Sequence, residues 1–166
     1  MGQPGECRAN GAEMKILVAE DNADDVVLLQ HAFERAAVKS QLNSVSDGVE
    51  ALDYLKGEGS FTDRQLHPFP DLLLLDLNMP RKNGFEVLEW VRRSERYAHL
   101  IVHVLTASSL DADVERAYAL HANSYTVKPS RFDELVSFVT ALHQWHKFVS
   151  LPFIGQQKKS VTSKRV

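Results

Sequence analysis

Residues 71–84 read Asp-Leu-Leu-Leu-Leu-Asp-Leu-Asn-Met-Pro-Arg-Lys-Asn-Gly. Leu72 to Leu75 form an unbroken apolar run, too short for a helix and bounded by residues that favour turns. Such a run suits a strand buried on both faces in the middle of a parallel sheet. It ends on a carboxylate, Asp76, and Asn78, Pro80 and Gly84 then break any regular structure. In an open α/β sheet, ligands bind outside the carboxyl ends of the strands. The plainer role for Asp76 is to cap the next helix, but Asn83 lies closer to that helix start and fits the role better.

The rest of the chain alternates around this strand. Lys15–Ala19 reads as a first strand running into Glu20 and Asp21. A helix follows, with Val26, Leu29, Ala32, Phe33 and Ala36 at the spacing of a buried face and Asp24 and Asp25 in its first turn. Leu42–Val45 is a weak edge strand and Gly48–Lys56 a short helix. The stretch from Gly57 to Pro70 has no period and reads as a long surface loop anchored by Phe61, Leu66 and Phe69. After the opening strand, Gly84–Arg93 forms a third helix burying Phe85, Leu88 and Val91. Leu100–Thr106 is a fourth strand, and Asp111 is the expected N-cap of a helix reaching about Leu120. Ser124–Val127 is a fifth strand stopped by Lys128-Pro129. Ser130 to Asp133 resembles a capping box opening a last helix, with Leu135, Val139, Leu142 and His146 on one side. Strict strand–helix alternation predicts a doubly wound α/β fold, a five-stranded parallel sheet with helices on both faces.

Composition bounds the function. A chain of 166 residues with 44% apolar and 25% charged residues has the length of one full domain. Three segments are expected: 1–13 disordered, 14–150 folded, and 151–166 a flexible basic tail. The net charge of −3 gives no reason to expect nucleic acid. The tail residues Lys158, Lys159, Lys164 and Arg165 read as a solvated end rather than a binding patch. The lone Cys7 excludes a disulfide framework and a cysteine metal site. No apolar run approaches membrane-span length and the N-terminus lacks a signal-peptide core, so no membrane and a cytoplasmic location are expected.

All strands of a parallel sheet end on one edge. Here that edge receives Glu20 and Asp21, Asp76, Thr106 and Lys128. Three converging carboxylates repel one another and favour a divalent cation. An all-oxygen set with few neutral donors suits Mg²⁺, which commonly binds one or two carboxylates plus a phosphate. A lysine supplies a compact positive charge for phosphoryl oxygens and a threonine a hydrogen bond. The edge reads as a site for phosphate on Mg²⁺.

These residues resemble the receiver domains of two-component response regulators. The motifs fall in order over about Met14 to Phe148: Glu20-Asp21, Asp76 with Met79-Pro80 and Gly84, Thr106-Ala107, and Lys128-Pro129. The resemblance implies a flavodoxin-like sheet of order 2-1-3-4-5; a chemotaxis member of the family is a standard example of that order. It implies that Asp76 accepts a phosphoryl group from a phosphohistidine on a partner histidine kinase or phosphotransfer protein. Asp21 and Asp76 would hold Mg²⁺, with Glu20 acting mainly through water and Asn78 through its backbone carbonyl. Lys128 would pair with the phosphoryl group and Thr106 would move to hydrogen-bond it. Tyr125 matches the aromatic switch that turns inward with the threonine. The output would be a changed surface on the fourth helix, fifth strand and fifth helix. With no output domain in the sequence, a single-domain regulator would signal by contact, to a downstream protein or a second copy through the Tyr125 face. Glu20 stands where Asp is also common, and the Gly57–Pro70 loop is longer than in the shortest receivers. That loop, Asn78, the Pro-Arg-Lys-Asn-Gly turn and the Trp145-to-Pro152 ending are similar to regulators paired with phytochrome-type kinases.

Rival chemistries fit less well. A phosphatase of the haloacid-dehalogenase type wants a second acid two residues past the nucleophile, and that position is Asn78. A P-loop switch needs Gly-x-x-x-x-Gly-Lys-Ser/Thr, which is absent. The chain therefore reads as a phosphoaccepting signalling protein and not an enzyme; a receiver-like interaction module working without phosphorylation is the remaining alternative. His103 reads as a core histidine. His143 and His146 lack a third ligand for zinc, and Trp90 and Trp145 read as packing residues.

Overall fold

The computed structural model describes residues 13–151. The elements alternate as β1 (Met14–Ala19), α1 (Ala23–Arg35), β2 (Ser40–Val45), α2 (Gly48–Lys56), β3 (Leu72–Leu75), α3 (Gly84–Arg93), β4 (Ile101–Thr106), α4 (Asp111–Ala119), β5 (Ser124–Val127) and α5 (Phe132–Phe148). The five strands are all parallel, in the order β2-β1-β3-β4-β5. Both the class and the order agree with the sequence-based expectation.

Side chains on a strand point alternately to opposite faces, and the central leucines divide accordingly. Leu73 and Leu75 pack with Leu17 and Ala19 of β1 and with residues of α2 and α3, including Leu55, Phe85 and Leu88. Leu72 and Leu74 pack on the other face with Ile16 and Val18, Leu29 and Phe33 of α1, and Val139 and Leu142 of α5. All four leucines are at most 1% exposed, which is why no polar residue interrupts the run. In register, Ala19 lies between Val45 and Leu75, and Leu75 opposite Val104. β2, β1 and β3 therefore end level while β4 and β5 run two residues further, and the residues at or just past these carboxyl ends meet on one edge.

Several local expectations are corrected. Leu66 is 64% exposed and does not anchor the 57–70 loop. Arg64 holds that loop instead, donating to the carbonyls of Tyr54, Leu55 and His67. Phe61 and Phe69 do pack on the core, and a 3-10 turn spans Gly59–Phe61. Asp111 is the first residue of α4 and not its cap; Leu110 holds that position with no side-chain bond. Ser108 serves the turn instead, its hydroxyl accepting from Leu110 N and donating to Asp113. The Ser130 capping box does not form, because α5 begins a residue later than it requires and Arg131 is the cap position. Asn83 makes the full capping box of α3 with Glu86. The expectations for residues 1–12 and 152–166 lie outside the described residues.

Candidate functional site

The edge is built by backbone before side chains enter. Asp76 N donates to Ala19 O at 3.0 Å, so the β1–β3 ladder runs one residue past β3 and fixes the Asp76 backbone in the sheet. Glu20 N donates to Val45 O at 3.0 Å and Lys128 N to Thr106 O at 2.7 Å, which extends the outer pairs in the same way. The β3–α3 loop folds back on this edge, with Gly84 N donating to Leu77 O at 2.9 Å. A Cβ on Gly84 would overlap the Asp76 carbonyl oxygen, so only glycine permits the approach.

The structure brings Glu20, Asp21 and Asp76 together: one oxygen of each lies within 4.8 Å of the others. Glu20 and Asp76 are buried while Asp21 is exposed, so the cluster opens to solvent on one side. Asp76 Oδ1 accepts from Leu77 N at 2.8 Å. Lys128 Nζ lies 2.5 Å from Glu20 Oε2, 2.7 Å from Asp25 Oδ2 and 3.8 Å from Asp76 Oδ2. Burial works against the Lys128 ammonium, but Asp25 and Glu20 outweigh it and hold its pKa above the ordinary value. Burial pushes the Glu20 carboxyl up, only partly offset by Lys128 and by the bond from Asn22 N.

Thr106 is fully buried at the end of β4, and its hydroxyl receives a long 3.5 Å contact from Ser108 N. Tyr125 is half-buried against the core, and its hydroxyl donates to Ser108 O at 3.0 Å. The threonine and the tyrosine thus share Ser108 as an intermediary. Asn78 is exposed in the loop two residues beyond Asp76.

Two participants carry no sequence signal that ties them to the site. Asp25 reads only as an acid suited to the favourable field at the start of α1, yet it binds the site lysine. Asp47 is 5% exposed; its carboxylate caps α2 through Val49 N and Glu50 N and also receives Arg81 from the β3–α3 loop. Arg81 has φ 61°, a left-handed conformation that a non-glycine residue holds only when its surroundings impose it. Asp47 before Gly48 carries a readable N-cap signal, but nothing marks its partner 34 positions away.

A hard-oxygen acidic cluster stands beside a half-buried lysine and a buried threonine on the carboxyl edge of an open parallel sheet, the arrangement expected of a receiver domain. The profile of the response regulator receiver domain matches residues 16–140, and the chain belongs to that family. It is 41% identical over 131 residues to the probable methanogenesis regulatory protein FilR2 of Methanothrix harundinacea (strain 6Ac), covering 78% of this chain and 81% of that one. The crystal structure of the phosphorylated cyanobacterial phytochrome response regulator RcpA matches with a TM-score of 0.77 at 35% identity, over 86% of this chain and all of RcpA. The Mn²⁺-bound form of response regulator Rcp1 from Synechocystis matches with a TM-score of 0.75 at 33% identity, over 84% of this chain and 99% of that one.

The donor set fits a small divalent cation. Three hard carboxylate oxygens lie close enough to share one ion, and the exposed Asp21 leaves one side of the cluster open to solvent. Among the described residues no helix is long and apolar enough to cross a membrane.

Proposed function

We propose that the protein is a phosphoaccepting response regulator in which Asp76 takes a phosphoryl group from a histidine kinase or phosphotransfer protein in a Mg²⁺-dependent step. The observation that carries this reading is the carboxylate cluster with Lys128 Nζ 3.8 Å from Asp76 Oδ2, a cation one short movement from the acceptor. An Asp76 oxygen attacks phosphorus in line, the bond from phosphorus to the donor imidazole nitrogen breaks, and its electron pair returns to that nitrogen, which is then protonated. Such a transfer needs positioning and charge neutralisation more than covalent chemistry from the protein.

Asp21 and Asp76 would hold the Mg²⁺, with Glu20 reaching it mainly through water and Asn78 through its carbonyl. When bound, the ion neutralises charge on the acceptor and on the incoming phosphoryl oxygens. Lys128 supplies the remaining positive charge. Thr106 hydrogen-bonds the transferred group, and Tyr125 follows through Ser108. The changed surface lies on α4, β5 and α5, where a downstream protein or a second copy would read it. RcpA is by name a phytochrome response regulator, which supports a phytochrome-type kinase as the donor; the cytoplasmic location remains the reading of the sequence.

The test is incubation with Mg²⁺ and a small phosphodonor such as acetyl phosphate, read by intact mass. The expected result is addition of one phosphoryl group, lost when Mg²⁺ is chelated and absent in Asp76→Asn. An unmodified wild-type protein would instead favour an interaction module that works without phosphorylation.

A further inference from the structure

Lys128 is not directed at the acceptor. Its two short contacts are with Glu20 at 2.5 Å and Asp25 at 2.7 Å, whereas Asp76 at 3.8 Å is beyond hydrogen-bonding distance. An ammonium has three donors, and these two carboxylates take two of them. The two partners differ in fate. Glu20 belongs to the carboxylate cluster that a divalent cation would neutralise. Asp25 stands on α1, outside that cluster, with 35% of its side chain exposed, so filling the cluster does not remove it as a partner of Lys128.

The backbone that carries Asp25 is held in place by the cap of its own helix. Asn22 Oδ1 accepts from Asp24 N and Asp25 N, which fixes the first turn of α1. A cavity of about 70 Å³ adjoins the pair, walled by Leu28, Leu29 and Leu135. It gives the four-carbon stem of Lys128 apolar space in which to swing.

We infer that Asp25 is a positioning residue that holds Lys128 aside from Asp76 and competes with the phosphoryl group for the lysine ammonium. Resting on the phosphotransfer reading above, this sets the balance between resting and phosphorylated states. Moving Lys128 onto a phosphoryl group breaks its bond to Asp25 and leaves that carboxylate to water. Removing the charge at position 25 lowers the cost of the move and favours the phosphorylated form.

Beryllofluoride, which occupies the phosphoryl position on an aspartate, tests this without a donor protein. The full chain at fixed Mg²⁺ is titrated with beryllofluoride and followed by ¹⁹F NMR, as wild type, Asp25→Asn, Asp25→Glu and Asp24→Asn. Asp24 lies in the same turn and does not touch Lys128, so its variant removes equal charge without the bond. Expected is half-saturation at about threefold lower beryllofluoride in Asp25→Asn, the scale of a partly exposed ion pair. Asp25→Glu should return toward wild type and Asp24→Asn should move much less. Equal shifts in the two Asn variants, or weaker binding by Asp25→Asn, would overturn the positioning role while leaving the phosphoacceptor reading intact. No Mg²⁺-dependent beryllofluoride signal in wild type would overturn both.

Discussion

The guanidinium of Arg81 grips the buried carboxylate of Asp47 and ties the loop after the acceptor strand to the start of α2. Burial alone would raise the Asp47 pKa, but the bonds from Glu50 N, Arg81 and Val49 N overcome it and hold it below the usual value. Asp47→Ala removes a helix cap and leaves Val49 N and Glu50 N without their side-chain acceptor, a loss of about 2 kcal/mol. The depressed pKa sets the sign with pH. The contribution is fully present above the unfolded-state pKa, about 3.9, and is lost as pH falls through the folded one. Urea unfolding of both proteins should therefore show a wide gap at neutral pH that closes in acid. Arg81→Ala, at an exposed side chain, should lose less stability.

Gly84 makes a different demand. Its closeness to the Asp76 carbonyl is a matter of space, so the obstacle is backbone against backbone and cannot be relieved by a rotamer change. Gly84→Ala should cost about 2 kcal/mol or more by forcing the loop away from β3. It should also weaken Mg²⁺ binding, because the loop carrying Asn78 moves with it. A variant with wild-type melting temperature and wild-type Mg²⁺ affinity would show that the loop yields freely.

Residues differ in how openly the sequence declares their place. Asp76, Glu20-Asp21, Thr106 and Lys128 are legible because each comes at or just after the end of a short strand, and parallel strands end on one edge. That inference needs only local pattern and topology. Asp25 and Lys128 are 103 positions apart, and their bond depends on how α1 packs beside α5. An acid in a first helical turn already has a local reason to be there, so the second reason is hidden. Leu66 misleads for a related cause: an apolar residue in a loop has no period to say which way it faces, and Arg64 has no marker as the loop's tether. The α4 cap is misplaced because Ser108 and Asp111 are both good turn formers and pattern alone does not choose between them.

His103 supplies a pH prediction away from the site. Its ring bridges β4 and β5, with Nε2 2.8 Å from Thr126 Oγ1, Nδ1 against Ser124 Oγ, and Phe138 of α5 packed edge-on. Burial lowers its pKa to about 4. The unfolded chain then binds a proton that the folded chain refuses, so stability is full above about pH 6.5 and declines toward pH 4. The ceiling on this loss is about 3 kcal/mol for a displacement of that size. His103→Gln should flatten the stability profile between those limits. An unchanged slope in denaturant titrations would assign the acid sensitivity to other groups.

Thr106 and Tyr125 give a prediction about signalling, separate from phosphorylation itself. Thr106→Val keeps shape and burial, removes the hydroxyl, and forfeits only the long contact from Ser108 N, a stability change below about 1 kcal/mol. Neither Asp76 nor Lys128 is altered, so acetyl phosphate with Mg²⁺ should still add one phosphoryl group by mass. What should disappear is the pull on Ser108, whose carbonyl holds the Tyr125 hydroxyl. In wild type, phosphorylation or beryllofluoride should shift the Tyr125 ring resonances; in Thr106→Val the modified protein should keep them close to the resting positions. Tyr125→Phe probes the same link from the other end, cutting the bond to Ser108 while Thr106 remains free to move. It should accept phosphate normally and transmit less of the change to α4. A full ring shift in Thr106→Val would mean that Tyr125 senses Asp76 by a route that bypasses Ser108.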